Sequence, residues 1–179
     1  MLRVAQGDTK AFRTLSEGLL PAIYTYASRL LRNDADAQDV AQETFLRVWL
    51  NARNYEPKAR VSTWVHSIAR NLAIDKIRKS KRRGDHFELD AERDAAPASD
   101  RPSQLLEKKL SAQAFQDALS LLPERQQSAL LLRHEQGLSQ SEIAVVLACS
   151  IDSVESLLKR ARQTLKEQLV TNNPDHSGE

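Results

Sequence analysis

The chain has 179 residues, enough for one medium domain or two small ones, and a formal net charge of +2. With a single cysteine it can form no internal disulfide, and no stretch approaches the roughly 18 consecutive apolar residues of a membrane span. The start, MLRVAQGDTKAF, lacks the apolar run of a signal peptide, so the expectation is a protein of the reducing cytoplasm with no membrane insertion.

Leu, Ala, Gln, Arg, Glu and Lys abound while glycine (5) and proline (6) are scarce, a composition that favours helices. The near-neutral total hides blocks of opposite sign, which points to distinct binding faces. Residues 34–43 carry four acidic side chains and no basic one. Residues 70–83 carry seven basic and one acidic, and residues 84–104 carry six acidic and two basic.

In chain order, Asp8 is placed to cap a first helix running to about residue 17, and Gly18 and Pro21 are expected to separate it from a second over about 20–32. Asn33 and Asp34 start a third. There Ala37, Val40, Ala41, Thr44, Phe45, Val48, Trp49 and Ala52 follow the i, i+3, i+4 rhythm of a buried face. Asp36, Asp39, Gln42, Glu43, Leu46, Arg47 and Leu50 are left outside. A loop containing Pro57 follows at 54–62. Ser62 can cap a fourth helix with the stripe Trp64, Val65, Ile68, Leu72 and Ile77, ending in KIRKSKRR. Residues 84–104 hold two prolines and no apolar periodicity, and read as a flexible linker. Helices resume over 103–122, and Pro123 opens another to about Gln136, stopped by Gly137. The last residues, 171–179, form a polar tail expected to be disordered. Nothing reads as a strand. The expected fold is all-α, with two small helical domains at 1–83 and 104–170 joined by a linker at 84–103.

Residues 138–169 are the most specific segment. Ser139 and Glu142 form a Ser-x-x-Glu capping box, and Ile143 and Leu147 share one face of the helix it opens. Ala148, Cys149 and Ser150 break the run. Ser150 then caps a second helix with the apolar face Ile151, Val154, Leu158, Ala161 and Leu165. This is a helix-turn-helix layout, which lays its second helix in the DNA major groove. Ile143, Leu147, Cys149, Val154 and Leu157 fill its apolar slots, with the small Ala144 where the helices cross. If the turn needs a positive φ at Ala148, alanine costs about 1 kcal/mol there. The outer side offers Ser153, Glu155, Ser156, Lys159, Arg160 and Arg162. Serines reach base edges, arginine grips guanine with two hydrogen bonds, and glutamate accepts from cytosine N4.

Two other segments carry chemistry. On the third helix, Asp39, Gln42, Glu43 and Leu46 form one exposed strip, a leucine among acids. Such a strip suits a protein partner, the leucine supplying buried area and the charges steering and register. It also fits a solvated face with a stray leucine, and periodicity alone does not decide. On the fourth helix the basic end suits phosphates, with affinity that falls as salt rises. An extruded base can be pocketed, and single strands stack on aromatic rings, near the loop and the helix start. Trp64 fits the core equally, Ser62 and Asn71 fit a cap and a plain surface, and the basic run fits a helix end favoured by the dipole. His66, His86, His134 and His176 are scattered without metal-ligand spacing, and no glycine-rich phosphate loop occurs. No enzyme, cofactor or metal is expected.

The run DADAQDVAQETFLRVWLNARNYEP, followed by STWVHSIARNLAIDKIRKSKRR, resembles region 2 of bacterial sigma factors of the extracytoplasmic-function, or group IV, type. LPERQQSALLLRHEQGLSQSEIAVVLACSIDSVESLLKRARQTL is similar to their region 4. The resemblance implies a protein that binds core RNA polymerase through its β and β′ subunits, directs it to promoter DNA, is a monomer when free, and is held by an anti-sigma factor until a stress signal. It assigns polymerase docking, on the β′ coiled coil, to Asp39, Gln42, Glu43, Leu46 and Arg47. Minus-ten recognition falls to Ser62, Trp64, Arg70, Asn71, Lys76, Arg78 and Lys79. The minus-35 element falls to Ser153, Glu155, Ser156, Lys159, Arg160 and Arg162. Ala148 stands where the family often has glycine. Glu155 departs from members with arginine there, so promoter sequences of other members do not carry over. A linker of about 20 residues spans at most roughly 65 Å. Two turns of B-DNA span about 70 Å, within reach once domain widths are added. A conventional helix-turn-helix regulator would explain 138–169 but leave the acidic strip and the 64–83 block without a role.

Overall fold

A computed structural model describes residues 1–83 and 113–171, and all regular structure among them is helical. The elements are α1 (Leu2–Ala5), α2 (Thr9–Leu31), α3 (Asp34–Leu50), a 3-10 turn (Ala52–Asn54), α4 (Val61–Arg83), α5 (113–120), α6 (Glu124–His134), α7 (Gln140–Leu147) and α8 (Ile151–Thr171). The expected linker, the start of the helix at 103–112 and residues 172–179 of the expected tail lie outside the described residues. None of the described helices is long and apolar enough to cross a membrane.

Helix starts follow the capping chemistry. The Asp8 carboxylate accepts from the Ala11 amide at 2.9 Å, and Asn33 Oδ1 accepts from the Asp36 amide at 2.8 Å. Each satisfies one of the amides that a helix start leaves open. Ser139 and Glu142 close a reciprocal capping box on α7, and Ser150 Oγ accepts from the Ser153 amide at 3.2 Å at the start of α8. Ser62, by contrast, lies inside α4, whose first turn closes on the Arg60 carbonyl. Gly137 stops α6 at φ +65°, a conformation that glycine adopts without cost.

Three boundaries differ from expectation. Thr9–Leu31 is one helix that runs through both Gly18 and Pro21. Phe12, Leu15, Leu19, Ile23, Tyr26 and Leu30 form one uninterrupted buried or half-buried face across them, while Gly18 and Pro21 face solvent. Tertiary packing thus overrides the local breakers, and the hydrogen bond that proline deletes lies on the wet side. A short α1 precedes it, and α8 runs on to Thr171.

Two apolar clusters form the core. Ile23, Ala41, Phe45, Val48, Val65 and Ala69 join α2, α3 and α4, with Phe12 and Trp64 packed at the edge. The second runs from Tyr26, Ala27 and Leu31 through Leu119 and Leu131 to Ile143, Val154 and Leu158. The N-terminal and C-terminal helices therefore share one core. Helix α4 lies at the junction, packed on α2 and α3 on one side and α7 on the other. This shifts its buried positions. Thr63, Val65, His66, Ala69, Ala73 and Ile74 are buried, whereas Trp64, Ile68, Leu72 and Ile77 of the expected stripe are half-buried. A helix covered on two sides does not show one stripe. Ile151, expected on the inner face of α8, is exposed at its first turn.

Candidate nucleic-acid and protein interfaces

The outer face of α3 is a mixed strip. Asp39, Gln42, Leu46 and Arg47 are exposed and Glu43 is half-buried. Leu46 is 51% exposed and Leu50, one turn on, is 67% exposed. Two leucines on one exposed row make a small apolar patch rather than a stray residue. Arg47 Nε donates to Glu43 Oε1 at 2.7 Å, and an exposed i, i+4 pair of this kind orders the strip more than it stabilises the fold. At the N-terminal end, Lys76 from α4 donates to Asp36 Oδ1 at 2.5 Å and Asp39 Oδ2 at 3.0 Å. Partial burial pulls the Lys76 ammonium down, but the hydrogen bonds to the two carboxylates outweigh it and hold its pKa above the ordinary value. Lys76, assigned by the resemblance to DNA, thus sits on the acidic strip.

The other minus-ten candidates fall into separate places. Asn71, Arg78 and Lys79 are exposed, and Asn71, Asp75, Arg78 and Arg82 share one face of α4 at i, i+4, i+7 and i+11. Trp64 is half-buried, and its ring meets Tyr55 at 5.2 Å between centroids, tilted by 56°. Tyr55 in turn donates its hydroxyl to the Ala59 carbonyl at 2.7 Å and so folds the loop over the start of α4. One edge of Trp64 is core and the other is at the surface of that loop. Ser62 is half-buried, its carbonyl 2.8 Å from His66 Nδ1. Arg70 departs furthest from expectation. Its side chain is only 13% exposed and its Nη2 lies 2.7 Å from Glu124 Oε1 on α6.

The helix-turn-helix forms as read. Val154 and Leu158 from α8 are buried against Ile143 and Leu147 of α7, and Cys149 packs half-buried beside them. Ala148 adopts φ 48°, ψ 56°, the left-handed conformation that the turn needs, and the Cys149 amide donates back to Ala144 at 3.0 Å. Arg125 reaches from α6 to the Leu147 carbonyl at 3.1 Å and ties down the end of α7. Ser153, Glu155, Ser156, Lys159, Arg160 and Arg162 are all exposed on one side of α8. The Ser153 hydroxyl lies 2.8 Å from Ser150 Oγ, so it serves the cap as well as the outer face.

Sequence reasoning did not find the polar groups where the two halves meet. The buried Tyr26 hydroxyl donates to Ser128 Oγ at 3.2 Å, and Ser128 donates to Glu124 Oε1 at 3.4 Å. Burial pushes the Tyr26 phenol well above its ordinary range, so it stays a neutral donor. Thr63 on α4 donates to Glu142 Oε1 at 3.3 Å, with Arg60 3.7 Å from the same atom. Hydrogen bonds from the Ser139 amide and hydroxyl hold the Glu142 carboxyl below its usual range. Arg29 on α2 and Arg32 just past its end reach Glu135 at 3.2 Å and Asp117 at 3.0 Å. His66 is buried between Tyr26, whose ring lies 6.1 Å away, and the C-terminal half, with its Nε2 short of any hydrogen bond. Burial lowers its pKa against the opposing pull of the Ser62 carbonyl, Gln136 and Glu142. Nothing local announces these pairs, because Glu142 reads as a capping residue and no motif singles out Tyr26.

A helical chain with a formed helix-turn-helix, a basic helix end and an exposed acidic strip that bears two leucines has the layout of a DNA-binding protein with a surface suited to a protein partner. The chain belongs to the extracytoplasmic-function (ECF) RNA polymerase sigma factors, promoter-specific transcription initiation factors. It matches the model of sigma-70 region 2 over residues 15–83 and that of sigma-70 region 4 over 112–165. It is 30% identical to the ECF RNA polymerase sigma factor SigW of Bacillus subtilis over 93% of both chains. It is also 30% identical to the RNA polymerase sigma-H factor of Pseudomonas aeruginosa, over 93% of this chain and 90% of that one. The sigma factor RpoE, solved in complex with the anti-sigma factor NepR from Bartonella quintana, matches with TM-score 0.75 and 25% identity over 90% of this chain and 98% of that one. CnrH, solved in complex with the cytosolic domain of CnrY, shares the fold with TM-score 0.71, 24% identity and coverage of 95% and 94%.

Proposed function

We propose that this sigma factor works with two promoter-reading surfaces and one polymerase-docking strip, divided between a domain at 1–83 and a domain at 104–170. Asp39, Gln42, Glu43, Leu46 and Arg47 on α3 dock on the polymerase, with Leu50 extending the apolar part. The exposed face of α4 with Asn71, Arg78 and Lys79, and the Ser62–Trp64 corner, meet the melted minus-ten strand. The outer side of α8 from Ser153 to Arg162 reads the minus-35 element in the major groove. The polymerase supplies the chemistry, and this chain supplies the address. The protein works in the cytoplasm under an anti-sigma factor, a reading that the RpoE–NepR likeness supports.

The observation that carries this reading is the exposed Leu46–Leu50 row among acids on α3, on the same chain as a formed helix-turn-helix. A repressor that dimerises on a palindrome has no use for that row. The test is binding of the purified chain to core polymerase and promoter-specific transcription in vitro. Asp39→Ala, Glu43→Ala and Leu46→Ala together abolish polymerase binding and leave the helical circular dichroism unchanged. Unchanged affinity in the triple variant would place the docking face elsewhere. No binding by the parent chain would favour a regulator that acts outside the polymerase.

A further inference from the structure

We propose that Ile151, the first residue of α8, is a specificity-determining residue that packs on the 5-methyl group of a thymine in the minus-35 element, beside the base read by Glu155. The inference deepens the reading of α8 proposed above and rests on it.

Ile151 is 47% exposed, while Val154 and Leu158 on the same helix are buried in the core. It opens the second helix of the helix-turn-helix, the place from which side chains meet base edges in the major groove. No local task accounts for it. The Ser150 hydroxyl caps the helix, and Cys149 and Val154, the positions that can staple such a start, are the ones joined to the core cluster. A β-branched residue adds nothing to helix propensity either.

The polar side chains around Ile151 are either committed to the cap or acidic. The Ser150 and Ser153 hydroxyls lie 2.8 Å apart, and Ser150 Oγ also accepts from the Ser153 amide, so this pair serves the helix start. Asp152 and Glu155 are exposed, and no basic residue occurs on α8 before Lys159. The first two turns therefore present Ile151, two carboxylates and Ser156 outward. A carboxylate accepts from cytosine N4 and meets only acceptors on the major-groove edge of guanine. A branched apolar side chain complements the one apolar group in that groove, the thymine methyl.

Spacing ties Ile151 to Glu155. The two are four residues apart, so they lie on one face of α8, one above the other. Four residues of helix rise about 6 Å, and successive base pairs are about 3.4 Å apart. The two side chains therefore reach bases no more than about two pairs from each other. The glutamate takes an amino group, and the isoleucine takes a methyl group close by.

The experiment uses the full chain reconstituted with core polymerase. The holoenzyme first selects bound duplexes from a library randomised over both promoter elements. The selected duplex is then remade with each thymine of its upstream element replaced in turn by deoxyuridine, which removes the methyl and keeps every hydrogen-bonding group. For the parent, one such replacement weakens binding about fourfold, as expected for one buried methyl group. Ile151→Ala weakens binding of the thymine duplex by a similar factor and binds the thymine and uracil duplexes equally. Ile151→Val, which keeps a branched side chain, retains part of the discrimination. Selection repeated with Glu155→Gln changes the preferred base at a pair no more than about two steps from that thymine.

The assignment is wrong if no thymine of the upstream element is sensitive to loss of its methyl. It is also wrong if the discrimination survives in Ile151→Ala with helical circular dichroism intact, or if the sensitive thymine lies far from the pair that Glu155→Gln alters. Failure of the wider reading looks different: the holoenzyme selects a downstream element and no upstream one, and the role of Ile151 falls with it. An upstream element selected without methyl contact overturns Ile151 alone and leaves the reading of α8 standing.

Discussion

Replacing Ala148 with glycine stabilises this protein, although it adds no contact. Ala148 holds φ 48° in the turn between α7 and α8, and its side chain is exposed. An L-residue with a Cβ costs about 1–2 kcal/mol in that conformation, and glycine removes the cost. Glycine also gives the unfolded chain more freedom, which takes back about 0.4–1 kcal/mol. The net gain is about 0.5–1 kcal/mol, and for a chain of this length that raises Tm by about 1–4 °C. Urea titration followed by circular dichroism reads it as a higher midpoint at unchanged slope. Ala148→Val is the matching control, because a β-branched side chain fits the left-handed region worst and lowers the midpoint. DNA affinity stays unchanged in Ala148→Gly, since the proposed reading face of α8 is untouched. An unchanged or lower midpoint in Ala148→Gly, together with a neutral Ala148→Val, would refute the strain argument.

Acid should destabilise the fold through His66. Burial holds its pKa below the ordinary value of 6.5, so the folded state binds fewer protons than the unfolded one. Its contribution is present above about pH 6.5 and is lost as pH falls through the lowered value. Glu142 from α7 faces it, is held below its usual range and stays anionic throughout that window, while Tyr26 from α2 and Gln136 beyond α6 are neutral there. The urea midpoint should therefore fall between pH 7.5 and 5.5, and His66→Phe should flatten that response; a parent chain indifferent to pH would count against it. On α8, Lys159→Ala and Arg160→Ala should each weaken promoter binding and lower the slope of log affinity against log salt by about 1, as expected for a lost phosphate contact. A variant that loses affinity with the slope intact has lost base reading instead.

The amino-acid pattern alone carried the helical class, most of the caps and the helix-turn-helix layout. Asp8, Asn33, Ser139 with Glu142, and Ser150 each act within one turn of chain, so their roles are written locally. The exposed face of α8 and the strip on α3 followed from a 3.6-residue period in helices buried on one side. Where the period failed, tertiary structure was the cause. Gly18 and Pro21 read as breakers because propensity is local, yet the continuous face from Phe12 to Leu30 keeps α2 whole. Helix α4 blurred its own stripe because α2 and α3 cover one side and α7 another.

The division is sharpest at three basic residues of similar appearance. Arg78 in KIRKSKRR is exposed, as its composition suggests. Lys76 is drawn to Asp36 and Asp39, and Arg70 is drawn to Glu124, 54 positions away. The sequence by itself determined that these side chains are positive and that they ride on one helix. Only the tertiary packing, of α4 on α3 for Lys76 and of the two halves for Arg70, decided which of them is paired, because a charge leaving water takes the nearest carboxylate that the fold supplies, and no local pattern encodes which one that is.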